Sequence, residues 1–446
     1  MKNVLLLSTA AILLLGSAAA HADTLDEALA KSYQGSPRLQ AQQAQLRAID
    51  EQVAQAHAGW RPTITGNAGA SHGAQVFSGT RTTLKPRGVG VQLSQPLLRL
   101  RTIPEISAAK RAVDAARAGL QSQEQSLLFD AVSAYMNIYR DEAVLGLTKN
   151  NEQVLQKQLD ASRDRFKVGE ITRTDVSQSE SRLARATADR IQAEGAAEQS
   201  RANYQRVIGD TPQDIRKPDI NLPLPQTLDE AAETAEAANP DVIAAHFAFE
   251  GADETVDSNL ASLLPQINLV GSAERDYDQT AAFGGRADSY TVGVQATIPL
   301  YQAGAEYSRT RQAKQTRSQR QLEYMEIRRR AHESAVQAWQ QYKTALAAIN
   351  SRKTEAETAR LALTGTQEEA KVGTRTVLDV LDAEQDAFAA EVNLVRAEHD
   401  AVVGAYQILA AIGKLTAEGL NLSGPRYDPK EYHEDNAAKW IGIGGE

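Results

Sequence analysis

At 446 residues the chain is long enough for two or three globular domains, yet only 5% of it is aromatic and its mean hydropathy is −0.41, which argues against thick apolar cores. A formal net charge of −9 with no basic face speaks against nucleic acid as a partner. Cysteine is absent, which removes disulfides, thiol catalysis and thiolate metal sites together.

The chain opens with Lys2, the apolar run Val4–Leu15 and small residues ending Ala20-His21-Ala22, the pattern of a secretory signal over 1–22 with cleavage before Asp23. No cysteine follows that point to carry a lipid, and no later apolar stretch approaches the roughly 20 residues of a membrane-spanning helix. Thr24 leads a short helix, and Pro37 starts a second over about 38–58. Two strands are predicted over about 62–76 and 87–97, joined by Phe77–Pro86. Val89, Val91 and Leu93 alternate there with Gly88, Gly90, Gln92 and Ser94, which fits a half-buried hairpin or a barrel wall between lipid and water. From Pro104 to Phe166 no further proline occurs and glycine is scarce. A helix of some 60 residues is on the order of 90 Å long and cannot fold around a globular core. At its end Gly169 can take the positive φ of a helix stop, and Thr172 or Thr174 can cap the returning helix.

From Thr227 the order repeats. Thr24–Ala28 recurs as Thr227–Ala231, Pro37 as Pro240, and Pro96-Leu97 as Pro299-Leu300, each 203 residues on. Lys167–Gly169 recurs as Lys371–Gly373, Asp175-Val176 as Asp379-Val380, and Ile208-Gly209 as Ile412-Gly413, each 204 on. So long a period denotes a duplicated half-chain rather than a solenoid. The expected division is a first structural repeat over 23–211, a proline-bearing linker over 212–226, a second repeat over 227–420 and a tail over 421–446. The second repeat carries a helix over about 241–261, strands over about 265–277 and 289–300 around Ala282–Gly285, and a long helix over about 305–370. Tyr290, Val292, Val294, Ala296 and Ile298 alternate with smaller or polar residues. The second turn offers Gly373 and a cap at Thr374 or Thr376, followed by Asp379 and Asp382. In the last long helix Leu381, Phe388, Val395, Val402 and Leu409 recur every seven residues, beside Leu378, Val392, His399 and Tyr406, the period of helices supercoiled on neighbours. The tail beyond Gly424, with Tyr427, Tyr432 and Trp440, has no counterpart in the repeat and is expected to wrap the helices or stay disordered. The seven histidines show no zinc-ligand spacing, and Arg328–Arg330 reads as a solvated helix patch. With no phosphate loop or serine elbow either, no enzyme, cofactor or metal site is expected.

The stretch Val372–Asp382, its earlier copy Val168–Val176, the strand pairs ending in Pro96-Leu97 and Pro299-Leu300-Tyr301, and the duplication resemble the TolC family of outer-membrane channel proteins, in its non-lipidated branch. The resemblance covers the chain to about Leu420. It implies a mainly α, internally duplicated fold with a small membrane β part. Each subunit of a homotrimer then gives four strands to one shared transmembrane β-barrel in outer-membrane lipid, and long coiled-coil-like helices form an α-barrel through the periplasm. Sharing a barrel also follows from physics, because four strands cannot close and open edges in lipid leave backbone groups unpaired. The implied function is the exit duct for drugs, small molecules or proteins in a tripartite efflux pump or type I secretion system, with a periplasmic adaptor (membrane fusion) protein and an inner-membrane transporter as partners. The resemblance makes Asp379 and Asp382 two cation-selective carboxylate rings at the periplasmic entrance. On helix geometry alone they share a face with Asp386, as an acidic helix start favoured by the macrodipole. It also makes Arg375 a gate link to Thr174 and Asp175, with one departure, Ala370 in place of a tip tyrosine. The alternative from another class is a periplasmic coiled-coil adaptor or scaffold whose hairpins belong to small soluble β-domains.

Overall fold

A computed structural model describes residues 24–278, 285–436 and 439–442; the signal segment 1–22 and residues 282–284 of the second strand loop lie outside them. The first half runs α1 (Leu25–Gly35), α2 (Pro37–His57), a 3-10 turn (Ala58–Trp60), β1 (Thr63–Ala70), β2 (Gly73–Phe77), β3 (Thr80–Leu84), β4 (Arg87–Leu98), α3 (Thr102–Lys167) and α4 (Arg173–Ile208). The second runs α5 (Leu228–Ala238), α6 (Pro240–Ala261), β5 (Gln266–Tyr277), β6 (Arg286–Thr297), α7 (Ala305–Lys371) and α8 (Val377–Ala411), and a short α9 (Glu431–Asn436) follows. Pro37 and Pro240 sit in the first turns of α2 and α6, where a missing N–H costs nothing, behind the caps Ser36 and Asn239. Among the described residues, those up to Gly35, Asp130–Leu222 and Thr344–Val403 form one compact unit, and those of Ser36–Phe129, of Pro223–Lys343 and from Gly404 on the other.

The second unit holds an antiparallel sheet in the order β1-β4-β5-β6, so the hairpins of the two halves pair with each other through β4 and β5. Ile64, Leu93, Gly271 and Val292 form one row across the sheet, and Gly66, Val91, Ala273 and Tyr290 the next on the same face. Thr65, Gln92, Ser272 and Thr291 lie across the opposite face. The register therefore sorts apolar from polar side chains, as a period of two requires. Among the described residues nothing covers the apolar face at the outer strand: Tyr290 is 76% and Val292 82% exposed.

Two expectations are corrected. The predicted strand 62–76 breaks after Ala70 and resumes as β2, and β3 lies inside the expected loop 77–86, so that a β2-β3 hairpin turns on Ser78 (φ 48°) and Gly79 (φ 83°). Thr80–Thr83 has no apolar face to announce a strand. The last strand ends at Thr297 rather than 300, two residues before Pro299, which has no N–H to give a ladder.

In the same unit the tail is held against α2. The Tyr432 hydroxyl donates to Glu51 at 2.9 Å, His433 faces the buried Asp50 at 3.4 Å, and the Arg61 guanidinium lies 5.0 Å from the Trp440 ring. Burial pushes the Asp50 carboxyl up, while Arg117 and His433 pull it down. Gly413 ends α8 with φ +80°, and a Cβ there would come within 2.2 Å of the Ala238 carbonyl oxygen. Its counterpart Gly209 has the same left-handed φ and open space around it. Gly209→Ala is expected to cost about 1 kcal/mol from φ alone, and Gly413→Ala at least about 3 kcal/mol because backbone must also move. Thermal melts of the helical circular dichroism signal check the ranking; equal midpoints for the two variants would refute it.

In the first unit the linker is pinned where it leaves α4. The Tyr135 hydroxyl donates to the Arg216 carbonyl at 2.8 Å, and Lys217 pairs with Glu398 at 2.7 Å. Tyr139, which donates to the same carboxylate, is pushed up to about 12 by burial and by Glu398. His399 is packed as its heptad position requires, with Nε2 3.1 Å from Asn137 Oδ1.

Candidate functional site

The two turns of the first unit are built alike, atom for atom. At the end of α3 the Gly169 N–H donates to the Phe166 carbonyl and the Glu170 N–H to the Arg165 carbonyl, with Gly169 at φ +83°. At the end of α7 the Gly373 N–H donates to Ala370 and the Thr374 N–H to Glu369, with Gly373 at φ +81°. This pair of bonds satisfies the last carbonyls of a helix and requires the left-handed residue that glycine supplies. Two residues on, each chain restarts with a reciprocal cap. Thr172 Oγ1 accepts from Asp175 N at 3.3 Å while Asp175 Oδ2 accepts from Thr172 N at 2.8 Å. Thr376 Oγ1 accepts from Asp379 N at 3.2 Å while Asp379 Oδ2 accepts from Thr376 N at 2.9 Å. Thr172 and Thr376 are thus the caps; Thr174 stands exposed, and Thr374 turns back to donate to the Glu369 carbonyl at 2.9 Å. Beneath the turns Leu155, Ala186, Val377 and Leu381 form a buried apolar cluster, with Ile171 and Leu183 packed on it.

The candidate aspartates have partners within the chain. The backbone N–H and then the hydroxyl of Thr376 hold the Asp379 carboxyl below the usual carboxylate range, with help from the charge of Arg375. Asp382 accepts from Arg182 of α4 at 2.6 Å, and Asp386 is exposed one turn further on. Sequence reasoning missed Arg182, and it missed Glu384. Glu384 is 5% exposed, its nearest polar partner Gln367 is 3.5 Å away, and burial pushes its carboxyl up. The signal was present in the repeat: 204 residues earlier an exposed Glu180 pairs with Arg163 at 2.8 Å, and Gln367 stands where that arginine would be.

The expected gate link is not made within a single chain. Among the described residues Arg375 makes no bond to Asp175 or Thr174; its Nε donates to Glu369 Oε2 at 2.8 Å. The helix stop explains this, because it folds Arg375 back over the last turn of α7, and Asp175 is already engaged by its own cap. Ala370 lines a cavity of about 190 Å³ with Gln158, Ser162, Arg165, Gln367 and Val380.

Duplicated hairpins with matched tips, joined to four strands that show an apolar and a polar face to the surroundings, define a channel subunit. The family model described as outer membrane efflux protein matches residues 28–210 and 231–414. The outer membrane efflux protein BepC of Brucella suis is 35% identical over 442 residues, 98% of this chain and 96% of that protein. The outer membrane protein TolC of Vibrio cholerae is 24% identical, over 94% of this chain and 97% of its own. The solved CmeC outer membrane channel of Campylobacter jejuni superposes with a TM-score of 0.80 at 14% identity, covering 93% of this chain and 89% of its own, a likeness of fold. The chain belongs to the outer membrane efflux protein family. It is an outer-membrane efflux channel and not an enzyme, which sets aside the adaptor reading.

Proposed function

We propose that the chain works as a homotrimer, the exit duct of a tripartite efflux pump or type I secretion system, with its helices in the periplasm and a periplasmic adaptor and an inner-membrane transporter as partners. The observation that carries this is the sheet. Both its faces are uncovered, one apolar and one polar, and β1 and β6 have no second neighbour among the described residues. Strands in lipid need closed edges, so copies of the chain complete one barrel. The two repeats with their linker and tail are the units of this assembly, and the turns at Gly169 and Gly373 are its periplasmic tip.

In such an assembly Asp379 and Asp382 recur around the axis as two carboxylate rings that favour cations. Arg375 and Arg182 lie beside them and moderate the charge. Asparagine keeps an Oδ1 that can accept the Thr376 N–H, so Asp379→Asn combined with Asp382→Asn removes charge while leaving the reciprocal cap an acceptor. The expected result in planar bilayers is a several-fold fall in cation over anion preference, with the oligomer intact by native mass spectrometry. Unchanged selectivity in an intact oligomer would reduce both residues to helix capping and the Arg182 pair.

A further inference from the structure

The repeat places two equivalent grooves on the strand-bearing unit, and only one is filled. In the first, α2 and α3 carry buried Leu46, Leu120 and Leu128, and the segment after α8 runs along their edge. Glu124 accepts from the Ala417 N–H at 2.6 Å, and Arg117 Nε donates to the Pro429 carbonyl at 3.4 Å. In the second repeat Phe249 occupies the position of Leu46, 203 residues on; α7 is uninterrupted, so Tyr324, Arg328 and His332 occupy those of Leu120, Glu124 and Leu128, 204 on. These side chains, with Met325 and His246, line an open groove of about 490 Å³.

We propose that this second groove is a docking site for an acidic, aromatic-bearing peptide segment of another protein. Each chain has one tail and two grooves, and the tail fills the groove of its own first repeat. In any homo-oligomer the second groove is therefore left without a tail of its own kind. Its chemistry also selects against the tail's mode of binding. Where Glu124 takes a backbone N–H, Arg328 presents a donor, already turned to a carboxylate, that of Glu236, at 2.6 Å. His332 faces the same carboxylate at 2.9 Å, and Arg329 lies exposed beside them. Among the lining residues one acid stands against two arginines, which leaves the rim cationic, and a segment carrying acids completes it. The His246 and Tyr324 rings, 5.4 Å apart and edge to face, and the half-exposed Met325 supply an apolar floor for one aromatic side chain. Because the groove is open in one repeat only, a partner is recruited once per chain and not twice.

The chain lacks cysteine, so Met325→Cys places a single thiol in the groove. In the purified, assembled protein the thiol is expected to react with a maleimide as fast as an exposed surface thiol. A fluorescein-labelled helical peptide of glutamates with one tyrosine and leucines is expected to bind in the micromolar range, and a lysine version of it not to bind. Arg329→Glu, at an exposed position outside any helix seam, is expected to weaken the acidic peptide about tenfold or more. A protected thiol would mean that a second copy covers the groove, and would overturn the proposal. So would acidic and basic peptides bound alike, no peptide bound at all, or a small aromatic sulfonate bound with the same Arg329 dependence in place of the peptide.

Discussion

Val292→Arg is expected to abolish the assembled channel, while Thr291→Arg, one residue away on the opposite face, leaves it intact. Val292 stands on the apolar face in a row with Ile64, Leu93 and Gly271, and it is 82% exposed in the single chain. If that exposed face meets lipid, an arginine near the midplane costs about 2–4 kcal/mol per copy. In the proposed trimer three copies carry the penalty together, on the order of 6–12 kcal/mol, which is comparable to the whole stability of a typical domain. Thr291 lies in the row of Thr65, Gln92 and Ser272, where an arginine remains in water. The measurement is heat-modifiable migration and recovery in the outer-membrane fraction. Equal recovery of the two variants would mean that neither face touches lipid, and the sheet would then be a soluble domain.

What could be read in the sequence follows from which forces are local. Pro37 and Pro240, Gly169 and Gly373, and the alternation at Val89–Leu93 and Tyr290–Ala296 act through their own backbone. Helix starts, helix stops and strand faces therefore fell where composition put them. The choice between Thr172 and Thr174 as cap rests on whether the threonine stands three residues or one before Asp175, and the sequence leaves it open. The pairs Arg182 with Asp382 and Arg375 with Glu369 were invisible for a different reason. The first joins α4 to α8 across 200 residues, and the second depends on how the helix stop folds Arg375 back. Arg328–Arg330 looks like a solvated patch in sequence because the groove beside it is completed by α5 and α6, some 80 to 90 residues earlier in the chain. β3 has no hydrophobic pattern, its pairing with β2 being held by backbone bonds and a turn at Ser78-Gly79.

Arg375→Glu is expected to raise single-channel conductance several-fold and to increase antibiotic uptake by cells carrying the variant. A channel across the outer membrane must close at rest, and the turns are where both repeats present matched, rigidly capped ends. Within one chain Arg375 is committed to Glu369, with both side chains about half exposed at 52%, and a pair so exposed contributes little alone. Charge reversal does two things at once. It sets a carboxylate beside Glu369 and near Asp379, which opens the second turn by repulsion, and it removes the cation available to the first-repeat turn. Asp175→Arg separates the two effects. It sacrifices only one half of the first cap, since Thr172 Oγ1 still receives the N–H of residue 175. If a link between the turns holds the gate, adding Asp175→Arg to Arg375→Glu partly restores the parent conductance, and Glu369→Gln alone leaves conductance unchanged, because Arg375 is then free to turn to Asp175. If Glu369→Gln opens the channel as far as Arg375→Glu does, and Asp175→Arg restores nothing, the closed state is held within the second turn. Conductance of Arg375→Glu equal to the parent's removes the arginine from the gate altogether. Closure would then rest on apolar packing at the exposed Val168 and Val372, 72% and 76% accessible in the single chain, whose replacement by serine would open the channel instead.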